Sequence, residues 1–585
     1  MTKTLTFSPC FSYDPGTLVL HGPGERSVRF SIANKSGGSL LLHLVHLKTQ
    51  QETVYAFPEG SGYGALYSVR AEGLSPSEYG YFYTLDGAFY PDPLARAVLT
   101  GSPSDHPLYG FFLPNGDFPV KDFLSVPLRE QILYGLHVKG FTRTDASVPQ
   151  KLRGTFEGVV AKIPYLRSLS VNAIECMPVY VPAKSENNYW GYGTGYYYAL
   201  NPAFSATGNA EESFLSFLSA CHENGILLYL QFHFPETFSA EEALRVIRFY
   251  RTAYGIDGIR LIGIHPVASM IADDPLLQDL YLLTENTQVF SPERKRQGFI
   301  DRSSRHLLRR FAKGDAGILR DFVRLLLQVG GDQETVSSLT DFSGFTAFDL
   351  VSYNWKHNEN NGEENRDGED YNDSWNCGVE GPSSKKEIKA LRMRQIRNLF
   401  TVLAFSQGAL RLREGDEVLN EQGGNNNPYC QDNEVGWVQW KKTAPAKETL
   451  SFVTKLLSLR SSLRLLHKDR SILMSTGKDK VLPEVSLHGK EAWKPSFQNE
   501  DRTIGIVYKG DGKEDPYAVC LALNMHWKRQ ELGLPHLPDG YVWALTMDTF
   551  QKDPFPEMPQ VLTEQHHLLI RERSVQILTA VPESR

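Results

Sequence analysis

From residue 129 onward the chain keeps switching between two hydrophobic periods, and that alternation limits its fold more than any other feature. "ILYGLHVKGFT" (132–142) opens as a strand candidate, and "GTFEGVVAKIPYLRSLSVN" (154–172) carries apolar residues at helical spacing. "AIECMPVY" (173–180) is again strand-like, the helix "EESFLSFLSACHENG" (211–225) follows, and then the strand "ILLYLQFHF" (226–234). "AEEALRVIRFYRTAYG" (240–255), "IDGIRLIG" (256–263) and "LYLLTEN" (280–286) repeat the pattern. Strands separated by amphipathic helices make βαβ units with a parallel sheet, and this many in succession imply an α/β fold, a (β/α)8 TIM barrel. The barrel is expected over 129–470, closing after the helix "ETLSFVTKLLSLRSSLRLL" (448–466).

The flanks have a different texture. Residues 1–128 contain short alternating runs ("SVRFSIAN", "SLLLHLVHL", "YGYFYTLDG") punctuated by turn residues, which predicts an N-terminal β-sandwich, with "YPDPLARAVLTG" (90–101) as its exit. Residues 471–585 return to β texture ("RTIGIVYKG", "YAVCLALNMHW", "YVWALTMDTF") and predict a small C-terminal β-sandwich domain. A net charge of −7 gives no reason to expect nucleic acid or an anionic membrane as partner. Six scattered cysteines without a CxxC pair read as free thiols in a reducing compartment. The N-terminal residues lack a basic and then apolar leader pattern, and no run of eighteen apolar residues occurs, so a cytoplasmic location is expected. No metal or other cofactor is implied, since no HExxH, phosphate-cradling glycine loop or Cys/His cluster is present.

Several long strings resemble one family. "FDLVSYNWKHNENNGEENRDGEDYNDSWNCGVEG" (348–381), a polar Asn-rich loop, and "GDEVLNEQGGNNNPYCQDNEVGWVQW" (415–440) resemble the isoamylase and bacterial glycogen-debranching branch of glycoside hydrolase family 13, in the alpha-amylase superfamily. "YGLHVKGFT" (134–142), "NYWGYGT" (188–194) and "LALNMHW" (521–527) do so too. The resemblance implies a glucan-binding-like N-terminal module and a barrel that hydrolyses α-1,6 branch linkages with retention. Retaining chemistry needs a carboxylate nucleophile and an acid/base carboxyl about 5–5.5 Å apart, at the C-terminal ends of barrel strands.

Laid on this sequence, the family pattern loses its chemistry. The nucleophile strand, roughly D-G-F-R-F-D in the family, here reads Asp257-Gly258-Ile259-Arg260-Leu261-Ile262. Arg260 matches the nucleophile's companion, but Ile262 has no lone pair with which to attack an anomeric carbon. Glu285 falls at the acid/base position, followed by Thr287 and Gln288 where Trp and Asp are usual. The His-Asp-Gly-Phe-Thr string that grips sugar hydroxyls becomes Phe342-Ser343-Gly344-Phe345-Thr346. Asp341, two residues upstream, lies one layer deeper and is not expected to substitute. The strand before the nucleophile has Gln231, Pro235 and Glu236 at the family's Asp, Asn and His positions, and only 31 positions separate Gln231 from Ile262. His233 reads as a core histidine. His265, Asp273 and Asp274 follow the nucleophile strand; a displaced carboxylate nucleophile among them is one reading, and two aspartates that are solvated or cap the next helix the plainer one. Tyr192, with Trp190 beside it, matches the aromatic that stacks on sugar, and Arg260 needs a new partner, Glu285 or Asp257.

These residues imply a catalytically degenerate member: a pseudoenzyme that binds α-glucan (glycogen or maltooligosaccharide) or regulates its metabolism. Its Glu285 is a vestigial acid/base, its substrate-binding residues are Tyr192, Trp190 and Arg260, and an active debranching enzyme paralogue is a conceivable partner, as in plant starch-debranching complexes. The alternative is an active debranching hydrolase with a relocated nucleophile.

Overall fold

The computed structural model describes residues 5–11, 16–22, 25–99, 106–112, 124–183, 187–285, 289, 294, 296–300, 302–328, 334–467 and 482–583. Its centre is a closed barrel of eight parallel strands: β1 (Ile132–Leu136), β2 (Ala173–Cys176), β3 (Leu227–Phe232), β4 (Gly258–Leu261), β5 (Tyr281–Thr284), β6 (Gln297–Phe299), β7 (Glu334–Ser338) and β8 (Ala409–Arg413). The ring closes where β1 pairs with β8, Leu133 opposite Arg411 and Gly135 opposite Arg413. The principal helices around it are α1 (Phe156–Ala161), α2 (Ile163–Ser168), α3 (Ala210–Glu223), α4 (Ala240–Phe249), α5 (Val267–Asp273), α6 (Arg302–Lys313), α7 (Leu319–Leu326), α8 (Lys386–Ala404) and α9 (Ala444–Ser462).

Two local departures from the periodic pattern have clear causes. The single helix expected over 154–172 is split at Lys162 into α1 and α2, with Pro164 in the first turn of α2. Proline lacks the N–H that would continue the ladder, and its ring crowds the carbonyl four residues earlier. α4 runs on through a π-helical turn, Tyr250–Tyr254, and stops at Gly255, whose φ of 83° is one that glycine adopts without strain. That stop aims the chain directly into β4.

The N-terminal part is a sandwich of two antiparallel sheets, and their facing sides bury Phe30, Leu42, Leu44, Val69, Tyr81 and Tyr83. The exit expected at 90–101 comes later. Ala97–Leu99 still pairs with Leu108–Gly110, which in turn pairs with Tyr79–Leu85, so the chain is held in the second sheet. Arg96 lies over the rings of Tyr198 and Phe249 at 4.1 and 4.4 Å, joining sandwich and barrel. At the other end, a six-stranded sheet over 485–582 with a two-stranded companion makes the C-terminal β domain. Asn398 of α8 reaches across to it, donating to the Arg573 carbonyl at 2.9 Å. No helix among the described residues is long and apolar enough to cross a membrane.

The two Asn-rich strings are structural partners. Asn358 Nδ2 donates to Asn426 Oδ1, and Asn426 N to Asn358 Oδ1, each at 2.9 Å. Asn425 Nδ2 reaches Asn361 Oδ1 at 2.8 Å, and Asn427 Nδ2 reaches Asp367 Oδ2 at 3.0 Å. The amide carries both donor and acceptor, so two such segments zip reciprocally and bury polar groups without leaving them unpaired. The second string then holds the next segment: the Tyr429 carbonyl accepts from Tyr189 N and Trp190 N at 2.8 and 3.2 Å. A run that reads as a solvated loop is thereby the frame that fixes "NYWGY" at the barrel mouth.

Candidate active site

β4 places Arg260 inside the barrel with its guanidinium directed to the C-terminal end. Arg260 Nη1 donates to Glu175 Oε1 at 3.0 Å; Nη2 donates to Asp341 Oδ2 at 2.8 Å and to Glu285 Oε1 at 3.2 Å. From β8, Arg411 grips Glu175 through Nε and Nη2 at 2.8 and 3.1 Å, and Asp341 through Nη1 at 3.1 Å. The network ends in a chain of neutral groups: Tyr192 hydroxyl donates to Gln231 Oε1, and Gln231 Nε2 donates to Glu175 Oε1. Arg302, at the start of α6, caps Glu285 Oε2 at 3.0 Å.

This network settles where the sequence-predicted residues lie. Arg260, Glu285 and Tyr192 are brought together. Trp190 is buried beside them, edge-on to Tyr192 with ring centroids 6.0 Å apart. Asp257 does not join them. It stands before β4, at the opposite end of the strand, where it accepts from Leu228 N and pairs with His222 Nε2, both at 2.8 Å. Ile262 follows β4 directly, half-buried, its N–H donating to the Phe232 carbonyl at 2.9 Å. Ser343 is exposed. His233 is half-buried, and its Nδ1 has no hydrogen-bond partner; burial, with His265 nearby, lowers its pKa. His265 is a turn residue, Nε2 bonded to the Phe238 carbonyl and Nδ1 accepting from Val267 N. Asp274 caps the Pro275–Leu277 turn and is held by Arg248 at 2.7 Å, and Asp273 is exposed at the end of α5. Thr287 and Gln288 lie outside the described residues.

Glu175 and Arg411 are the residues the sequence reading missed. The available signal was one carboxylate in an otherwise apolar strand, "AIEC", and alternating arginines in "ALRLR": a charge in a buried strand needs a partner. Gly135 makes the fit possible, because a Cβ there would meet Arg411 Nη2 at 2.5 Å. Burial pushes the Glu175 carboxyl up, and the guanidinium groups of Arg411 and Arg260 outweigh it, so the group sits below its ordinary range. Asp341 is likewise penalised by burial and then held well below the usual carboxylate range by Arg260, Arg411 and Arg305. Chemically, both Glu285 oxygens are engaged by guanidinium groups, and the position two residues beyond Arg260 carries an alkyl chain.

Behind the site, other carboxyls shift the opposite way. Asp349 is fully buried with one oxygen unpartnered, and burial pushes it up to about 7 from an ordinary 3.8; Glu417, which accepts from the Tyr134 and Tyr165 hydroxyls, is likewise raised to about 7. A folded-state pKa above the unfolded one means that the native state holds more protons between those values. Stability is therefore expected to fall as pH rises from about 4 to 7. Thermal melting across that window checks it, with Asp349→Asn flattening the decline.

Comparison with known proteins bears on the fold and on the family resemblance. The family model "Alpha amylase, catalytic domain" matches residues 135–235, from the end of β1 to just beyond β3, and stops before β4. The chain is 26% identical to Isoamylase 1, chloroplastic, of rice (Oryza sativa subsp. japonica), over 88% of this chain and 77% of the relative. It is 28% identical to the Glycogen operon protein GlgX homolog of Mycobacterium bovis, over 77% and 76%. In sequence the chain is thus similar to the isoamylase and glycogen-debranching branch of the alpha-amylase superfamily. Among solved structures, the catalytic module of the glycogen-degrading pneumococcal virulence factor SpuA, in complex with an inhibitor, superposes with a TM-score of 0.72 at 16% identity, covering 98% of each chain. The Group B Streptococcus pullulanase SAP in complex with maltotetraose superposes at 0.73 and 16%, covering 98% of this chain and 88% of the other. At these identities the structural matches establish the fold of this isoamylase relative, with the barrel and both flanking β domains.

Proposed function

We propose that this isoamylase relative is an α-glucan-binding pseudoenzyme of glycogen or starch metabolism. Ile262 carries the reading: two residues past Arg260, where the retaining mechanism needs an attacking carboxylate, stands a group that can neither form nor shield a glycosyl intermediate. Glu285, at the acid/base position, serves as a partner of Arg260 and Arg302. Tyr192, half-buried and backed by the buried Trp190 ring, supplies the sugar-stacking surface, held by the Asn framework. The protein works in the cytoplasm, consistent with six free cysteines, and its role is regulatory, alongside an active debranching paralogue.

One observation favours the second reading, an active α-1,6-glucan hydrolase with a relocated nucleophile: Asp341 and Glu285 meet on the same Arg260 nitrogen. Against it, Asp341 is buried and committed to Arg260 and Arg411. Native affinity electrophoresis in glycogen-containing gels tests the glucan reading. The wild type is expected to be retarded, with Tyr192→Ala reducing the retardation severalfold; equal mobility with and without glycogen would remove the glucan from the proposal.

A further inference from the structure

The barrel mouth has a charge pattern that neutral-glucan binding does not use. α6 presents Arg302, Arg305 and Arg309 at i, i+3 and i+7, one face of a helix, towards the Asp341–Gly344 turn. Arg302 pairs with Glu285. Arg305 Nη2 stands 3.6 Å from Asp341 Oδ2, and Arg309 donates only to the carbonyls of Leu339 and Asn372, at 2.8 and 2.9 Å. Four guanidinium groups, those of Arg260, Arg411, Arg302 and Arg305, thus stand against three carboxylates, Glu175, Asp341 and Glu285, and Arg309 lies behind them.

Arg305 and Arg309 are 4% and 3% exposed, and Arg305 Nε and Arg309 Nη2 are buried donors without an acceptor among the described residues. Arg309 has no carboxylate at ion-pair distance among the described residues; burial, then repulsion from Arg305, lowers its pKa to about 9. The acids nearest from the Asn-rich loop, Glu369 and Asp373, are taken by His306 at 3.8 and 2.7 Å, and Asp416 by Thr340 and the Ala347 N–H. Meanwhile the mouth positions that retaining chemistry gives to carboxylates are Ile262 and Ser343. Such a mouth repels an oxocarbenium-like cation and attracts an anion.

We infer that the mouth receives a phosphate monoester carried on a hexose, its oxygens meeting Arg302 and Arg305 at the N-terminal end of α6. A phosphate monoester brings up to two negative charges and three acceptor oxygens, and guanidinium groups bind it in a bidentate manner. The ester has two possible sources, a phosphorylated glucan chain or a free sugar phosphate. The inference rests on the glucan reading only for the first.

Calorimetry at low salt with four probes separates the outcomes: maltotetraose, maltotetraose bearing a 6-phosphate, glucose 6-phosphate and inorganic phosphate. The phosphorylated oligosaccharide is expected to bind about tenfold or more tightly than maltotetraose, a gain weakened by salt, lost in Arg302→Gln and partly kept in Arg302→Lys. Arg302 is largely exposed, so these variants leave the core untouched. Glucose 6-phosphate binding as tightly as the phosphorylated oligosaccharide would support the ester and assign it to a free sugar phosphate. Equal affinity for both oligosaccharides would overturn the phosphate site and leave the glucan reading standing. Inorganic phosphate binding as well as either ester would overturn recognition of the hexose. Silence with all four would overturn both proposals.

Discussion

Purified protein incubated with a branched limit dextrin is expected to release no reducing ends above the blank, and Glu285→Gln is expected to give the same trace. The physical case has three parts. Ile262 cannot attack the anomeric carbon; both oxygens of Glu285 lie on guanidinium groups; and the mouth carries surplus positive charge where the transition state is itself positive. Loss of a nucleophile from a catalytic unit lowers kcat by roughly a million-fold in well-studied hydrolases, and the other members of the unit do not make up the difference. The double variant Ile262→Asp/Ser343→Asp is the companion: it returns carboxylates to the mouth, and any activity it gains would locate the missing chemistry at those two positions. Wild-type activity that disappears in Glu285→Gln would sink the pseudoenzyme reading and direct attention to Asp341, the carboxylate that shares Arg260 Nη2 with Glu285.

Glu175→Gln is expected to be the most damaging conservative substitution in the barrel, costing about 3–5 kcal/mol in denaturant unfolding, the range for breaking one side of a buried ion pair. The change alters almost no volume, so no cavity term contributes. What it removes is the anion that Arg411 holds through two nitrogens and Arg260 through one, in a place closed to bulk solvent. Arg411→Met should also destabilise, and the double variant Glu175→Gln/Arg411→Met should cost less than the two singles together, because either single already breaks the Glu175–Arg411 pair. A loss below about 1 kcal/mol for Glu175→Gln would mean that the network is hydrated and contributes as a surface pair does. Glucan binding offers an independent readout, since the Tyr192 hydroxyl reaches Glu175 through Gln231.

The division between what was legible and what was not follows from the range of the forces involved. Hydrophobic period is a local property, so the amino-acid sequence alone determined the barrel and its β flanks: "ILLYLQFHF" contains β3 and "LYLLTEN" contains β5. It also determined that Arg260 stands two residues before an alkyl side chain, an identity no tertiary contact can change. Even local reading slipped where a single residue overrode the period, as Pro164 did in dividing one helix into α1 and α2. Of the partners of Arg260, Glu285 was one of two acids the sequence offered, whereas Glu175 and Asp341 were decided only by the tertiary structure. Glu175 and Arg411 lie 236 positions apart in the chain, and what pairs them is barrel closure, with Gly135 leaving room for the guanidinium. Asp257, the nearer acid in sequence, is excluded because a strand separates its ends: it faces His222 at the bottom of β4 while Arg260 reaches the mouth. The arginine face of α6 has the same character. Its spacing is written in the sequence, but that Arg302 and Arg305 meet Glu285 and Asp341 at the mouth is a consequence of eight strands closing into a ring.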